Sequence, residues 1–157
     1  MSASILLPVL LLVVSITAFG LAGHGFGRLG AHGVRGWDRP VVLRSLAALF
    51  GAAAAAVYTW GLLCVALAVL DAEDGGAGSA PVRPCAGADA QAWGAAAVDY
   101  RVEYLPVRFV CETGDGRSHV TDDVPGYVTP AAVGAGLTAA VLAVSAGWVS
   151  QARARAV

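Results

Sequence analysis

Three stretches of this chain, Met1 to Gly23, Ser45 to Leu70 and Val124 to Ala152, contain no Asp, Glu, Arg, Lys or His. Each has the length to cross a bilayer, because about 20 apolar residues in a helix rise the ~30 Å of a hydrocarbon core. What is left of the 157 residues is too little for a water-soluble core of ordinary domain size. The expected fold class is therefore membrane all-α: three transmembrane helices, with a small disulfide-tied extracytoplasmic β-hairpin module between helices 2 and 3. The expected boundaries are helix 1 over 1–23, a cytoplasmic Arg/Gly loop over 24–44, and helix 2 over 45–70. An extracytoplasmic loop with the hairpin follows over 71–127, then helix 3 over 128–150 and a cytoplasmic tail over 151–157. The absence of ionisable groups at membrane depth argues against coupled transport, whose ion paths and proton relays normally place such groups there.

The net charge of −1 hides a strong segregation, since Asp38 is the only acid outside the segment Asp71 to Asp123. Arg28, Arg35, Arg39 and Arg44 lie between the first two spans, and Arg153 and Arg155 follow the third. Short Arg-rich loops stay cytoplasmic. The 57-residue loop from Asp71 to Tyr127 dilutes Arg83, Arg101, Arg108 and Arg117 with ten acids, so it is expected to face outward. This places the chain in the cell membrane as a multi-pass protein, N-terminus outside and C-terminus cytoplasmic. The first segment lacks the charged n-region of a secretory signal, which favours an uncleaved first span. The alternative is a cleaved signal ending near Ala18-Phe19-Gly20, which has the small-x-small spacing of a cleavage site. All ten basic residues are Arg, and Lys and Asn are absent, a bias of the kind that a high-GC genome imposes without function.

Cys85 and Cys111 fall in the outer loop, where an oxidising environment permits a disulfide, and Cys64 falls within the second span. Of the three pairings available, Cys85 with Cys111 is the expected one, stabilising the loop by roughly 3 to 4 kcal/mol in the chain-entropy model. Cys64 reads as a small buried apolar residue, with a reactive or lipidated thiol as the alternative.

In the third span small residues recur at every fourth position: Ala131, Ala135, Ala139, Ala143 and Gly147. Positions four apart share a helix face, so a smooth stripe results along which another backbone can approach. Ala47, Gly51, Ala55 and Thr59 make a matching stripe in the second span. These stripes either contact a partner protein or second copy, or face each other within one bundle. The first span, bulky in Leu, Val and Ile around Pro8, suits lipid. Tyr58, Thr59 and Trp60 carry polar atoms that need partners away from water, and Ser15, Thr17, Thr138 and Ser145 are expected to form a polar clasp with them. Trp37, Tyr127 and Trp148 are placed as interfacial aromatics.

Gly25-Phe26-Gly27-Arg28-Leu29-Gly30 spells G-x-G-x-x-G, but dinucleotide binding requires a strand before the glycines inside a βαβ unit. Here a membrane helix precedes, so a solvated loop is expected. His24 and His32 lack a carboxylate or thiol cluster to make a metal site. The Arg residues of this loop are expected to touch membrane lipid headgroups.

The outer loop begins with an acidic Gly/Ala/Pro linker up to Pro84, followed by Ala86 to Ala97, where Asp89 is placed to cap one short helix carrying Trp93. Val102 to Thr113 then reads as a strand with Leu105, Val107, Phe109 and Cys111 on one side. Gly114-Asp115-Gly116 supplies a turn, and Ser118 to Val124 returns as a second strand. Pro106 cannot donate to a ladder and implies an edge or a bulge. Glu112, Asp115, Asp122 and Asp123 could hold Ca²⁺ but lack EF-hand spacing. His119 cannot be assembled with Ser118 into a catalytic set, because neighbours on a strand point to opposite faces. No catalytic residue, cofactor or metal is assigned.

The segment Tyr104 to Pro130, YLPVRFVCETGDGRSHVTDDVPGYVTP, resembles an element of uncharacterised small multi-pass membrane proteins of actinobacteria. The likeness lies in a cysteine-bearing strand, a D-G turn, and V-P-x-Y/W-V-x-P entering the last span. It covers about a sixth of the chain and implies location and topology, not an activity. The expected role is a non-catalytic accessory, assembly or interaction subunit contacting another membrane protein or a further copy of itself, with no nucleic acid. The alternatives are a small homo-oligomeric channel or transporter with a path along Tyr58, Thr59 and Trp60, and an extracytoplasmic ligand or metal sensor built on the acidic hairpin.

Overall fold

In the computed structural model the described residues are 3–32, 38–74, 85 and 97–155. Helix α1 spans Ala3–His32 and α2 spans Arg39–Asp74; strands β1 (Ala97–Tyr104), β2 (Val107–Thr113) and β3 (Ser118–Val120) follow, then helix α3 (Val128–Arg155). All three helices are long and apolar enough to cross a membrane.

The helix ends follow local chemistry rather than the ends of the charge-free stretches. Asp38 opens α2: its carbonyl accepts hydrogen bonds from the amides of Val41 (2.9 Å) and Val42 (3.1 Å). Pro40 fits the first turn, where a missing N–H costs nothing. The carbonyl of Pro125 accepts from Val128 N at 3.0 Å to start α3, and Arg153 and Arg155 close it with cations suited to a helix C-terminus. Helix α1 continues past Gly23 to His32, so residues 24–32 are helical where a loop was expected. Each interior Gly there weakens a helix by only about 1 kcal/mol, and Gly25 is buried. The expected helix around Asp89 and Trp93, and the interfacial Trp37, lie outside the described residues.

The chain divides into two units: Met1–Leu11 with Trp60–Thr129, and Leu12–Thr59 with Pro130–Val157. Among its described residues the second is helical apart from Asp38. Its glycines set how closely the helices approach. A methyl group at Gly25 would lie 2.9 Å from Leu49 Cγ and 3.2 Å from the Ser45 carbonyl, and one at Gly51 would lie 3.2 Å from Leu21 Cδ1 and 3.9 Å from Ala139 Cβ. Buried side chains are small (Ser45, Ala48, Ala52, Ala146), whereas Phe19 is 80% exposed, Leu137 64% and Trp148 74%.

The first unit carries an antiparallel sheet in the order β1-β2-β3. Tyr104 pairs with Val107, Val102 with Phe109 and Tyr100 with Cys111, and a bulge lies between Ala97 and Asp99. Cys111 in turn pairs with His119. Phe109, Cys111, Ala97 and Cys85 form a core with Ala68 of α2, edged by Val69, Ala72, Tyr100 and Val102. Phe109 stacks on Tyr100 with centroids 5.1 Å apart. The single strand expected over Val102 to Thr113 is two strands, because the chain reverses at Leu105-Pro106, where Pro106 has no ladder hydrogen bond to lose. Leu105 therefore leaves the expected inward row and is exposed, while Val107, Phe109 and Cys111 keep it. The second return strand is limited to β3, and the module has three strands where a two-stranded hairpin was expected.

Candidate functional site

Cys85 and Cys111 are joined in a disulfide with Cα atoms 5.9 Å apart, within the range that the bond requires. Both are fully buried. The bond ties residue 85 to the central strand and so anchors the sheet's core. Cys64 is a free, half-buried thiol in α2.

The Gly114-Asp115-Gly116 turn forms as the sequence predicts. Gly116 adopts φ +81°, a left-handed conformation that glycine takes without a Cβ penalty. Thr113 Oγ1 donates to the Asp115 carboxylate and Arg117 Nε pairs with Asp115 Oδ2 at 3.3 Å. The hydrogen bond from Thr113, aided by the Arg117 amide and guanidinium, holds the Asp115 carboxyl below its ordinary value. Thr121 Oγ1 likewise donates to Asp123, and Glu112 pairs with Arg101 at 3.5 Å. Three of the four acids considered for Ca²⁺, Glu112, Asp115 and Asp123, thus have local partners. Among the described residues no three His, Cys, Asp or Glu side chains converge on one point. Ser118 and His119 sit opposite Glu112 and Cys111 on β3.

Four hydroxyls of the expected polar clasp bond within their own helices. Thr59 donates to the Ala55 carbonyl, Thr17 to Val13, Thr138 to Gly134 and Ser145 to Val141, each at 2.8 Å. These hydroxyl protons are satisfied within their own helices, four residues back, which is the shortest reach in an environment without water. Trp60 is exposed, as are Tyr127 and Trp148.

Of the α3 stripe, Ala135, Ala139 and Gly147 are half-buried, while Ala131 and Ala143 are exposed. In α2, Gly51 and Ala55 are half-buried. A methyl group at Gly134, Gly136 or Gly147 would meet nothing within 4 Å. The surface that α3 turns outward thus includes Ala131, Gly134, Thr138 and Ala143 beside larger apolar side chains. The GxGxxG glycines all lie inside α1, without the strand-turn geometry that a pyrophosphate needs.

Sequence reasoning missed three features. Asp38 pairs with Arg153 at 3.4 Å, and Arg44 Nη2 donates to Ser150 Oγ at 3.0 Å; both join residues more than 100 positions apart, for which a single sequence holds no signal. The third is a cavity of about 260 Å³ lined by Leu7, Pro8, Ala66, Val69, Leu70, Glu73, Tyr100 and Val102. The Tyr100 hydroxyl donates to Glu73 Oε1 at 3.3 Å. Burial, then the Glu73 charge, pushes the Tyr100 phenol up from its ordinary value. No family model, curated protein or solved structure matches the chain.

Proposed function

We propose that this protein is a non-catalytic integral membrane protein serving as an accessory, assembly or interaction subunit of a membrane complex. The observation that supports this reading is one exposed face of α3, where Ala131, Gly134 and Thr138 leave room for another helix. Small residues let helix backbones approach closely, and van der Waals packing over such surfaces drives association where apolar burial cannot, since lipid is itself apolar. In the proposed topology the N-terminus and the sheet face outward and the C-terminus is cytoplasmic, from the distribution of Arg. The Arg residues near the inner face would meet lipid headgroups.

Gentle extraction from the native membrane, followed by mass measurement and co-purification, tests the subunit reading. A stoichiometric second protein is expected, and Gly134→Leu is expected to lower its recovery at least several-fold while the chain itself still inserts. A lone monomer, or a symmetric assembly of this chain alone, overturns it. Activity of a periplasmic-side reporter fused after Arg155 would invert the topology.

A further inference from the structure

The cavity beside Glu73 combines two chemistries that a purely structural gap does not need. Leu7, Pro8, Ala66, Val69, Leu70 and Val102 give it aliphatic walls, and Glu73 with Tyr100 provides a polar end. A carboxylate has about four acceptor sites, and the Tyr100 hydroxyl uses one of them. Among the described residues no basic side chain pairs with Glu73. Glu73 is exposed at the edge of this apolar wall, and a cation that also donates hydrogen bonds is the partner a carboxylate binds most strongly. One carboxylate and one phenol are too few oxygens for Ca²⁺ or Mg²⁺, which take six or more ligands. A protonated primary amine needs fewer, offering three N–H donors around one charge.

We propose that this cavity binds a protonated primary amine carried on an apolar tail, the ammonium against Glu73 and the tail along Leu7, Ala66, Val69 and Leu70. The position fits an amphiphile: the charge-free run of α2 ends at Leu70, with Asp71 and Glu73 directly after it. That is where an apolar helix meets lipid headgroups. Two sources share this chemistry, an aminophospholipid of the surrounding membrane and a soluble alkylamine. The inference does not rest on the accessory-subunit reading, and the site can exist whether or not a protein partner does.

Native mass spectrometry of the full chain released from maltoside micelles counts the bound molecules. Octylamine is expected to bind saturably, one per chain, while octanol and octanoate at equal concentration do not. Glu73→Gln, an exposed isosteric change that keeps an acceptor for Tyr100, is expected to weaken octylamine at least tenfold. Ala66→Phe, which fills the cavity, should abolish binding. Retention of phosphatidylethanolamine over phosphatidylcholine through purification, lost in E73Q, assigns the lipid as the source. Octylamine binding without that lipid preference assigns a soluble amine. Equal binding of octylamine and octanol, an unchanged E73Q affinity, or no saturable adduct overturns the proposal.

Discussion

The buried positions of the two units differ in size, although both units expose large apolar side chains. In the unit that contains the sheet, large residues go inward: Phe109, Leu62, Val65 and Val128 are fully buried. In the helical unit the buried positions are Ser45, Ala48, Ala52 and Ala146, and Phe19, Ile16, Leu137, Val141 and Trp148 point outward. For Phe109 in the sheet, water explains the burial, since each Å² of apolar surface removed from it contributes about 25 cal/mol, whereas Leu62, Val65 and Val128 lie on helices apolar enough to cross a membrane. Against hydrocarbon that gain vanishes, and close backbone approach through small residues is what holds helices together.

Truncating one large side chain in each unit is the strongest way to break this contrast. Phe109→Ala should destabilise the sheet by about 3 to 5 kcal/mol through lost burial and a cavity, read as faster hydrogen exchange of the β2 amides. Leu137→Ala should cost less than about 0.5 kcal/mol, as surface changes do, measured as thermal stability in micelles; a comparable loss at both sites would erase the distinction. Next in size, Cys85→Ser should cost roughly 3 to 4 kcal/mol by releasing a loop closed over 26 residues, again seen in β2 exchange, and it should leave the helical unit's protection unchanged. The contrast also applies to glycines. A methyl group at Gly61 would lie 2.6 Å from Val128 Cγ1, so Gly61→Ala should cost about 1 to 3 kcal/mol by overpacking. Gly134→Ala, with open space around it, should be neutral or stabilise α3 by up to about 1 kcal/mol; parallel thermal melts of the two variants decide this.

The smallest expected effect is at the β2–β3 turn. Its carboxylate, Asp115, has a folded-state pKa below the ordinary value of 3.8. A depressed carboxyl contributes stability that is fully present above the unfolded value and lost as pH falls through the folded one. Protection of the Thr113 amide, bonded to the Arg117 carbonyl at 2.9 Å, should therefore hold at pH 5 and decline below about pH 4. In Asp115→Asn that acid-dependent decline should be absent.

What was legible in the sequence was what depends on composition or on neighbours. The helices were legible because a run without charge is a property of the residues themselves, and the Gly114-Asp115-Gly116 turn because its conformational demand is local. Compartment chemistry made the Cys85–Cys111 bond legible. The reversal at Pro106 was not, because Val102 to Thr113 is uniformly strand-prone and its alternation runs straight through the break. The start of α2 was misplaced for a related reason: the first apolar residue marks a change of solvent, whereas hydrogen bonds to the Asp38 carbonyl open the helix earlier. The candidate cavity was invisible, since Glu73 and Tyr100 meet across 27 positions and neither belongs to a motif. The hydroxyls of Thr59 and Thr138 were assigned to other helices when their own carbonyls were nearer.

One short link has a mechanical meaning. Val107 N donates to Thr129 Oγ1 at 3.3 Å, and Gly61 admits Val128 and Val107 to the same spot on α2. The first residue of β2 is thus stitched to the first turn of α3, in addition to the covalent path through residues 121–127. A tug on the sheet travels to α3 by two routes of unequal length, and the shorter one carries it first. The sheet is in this sense a handle whose grip is set at the base of a long apolar helix.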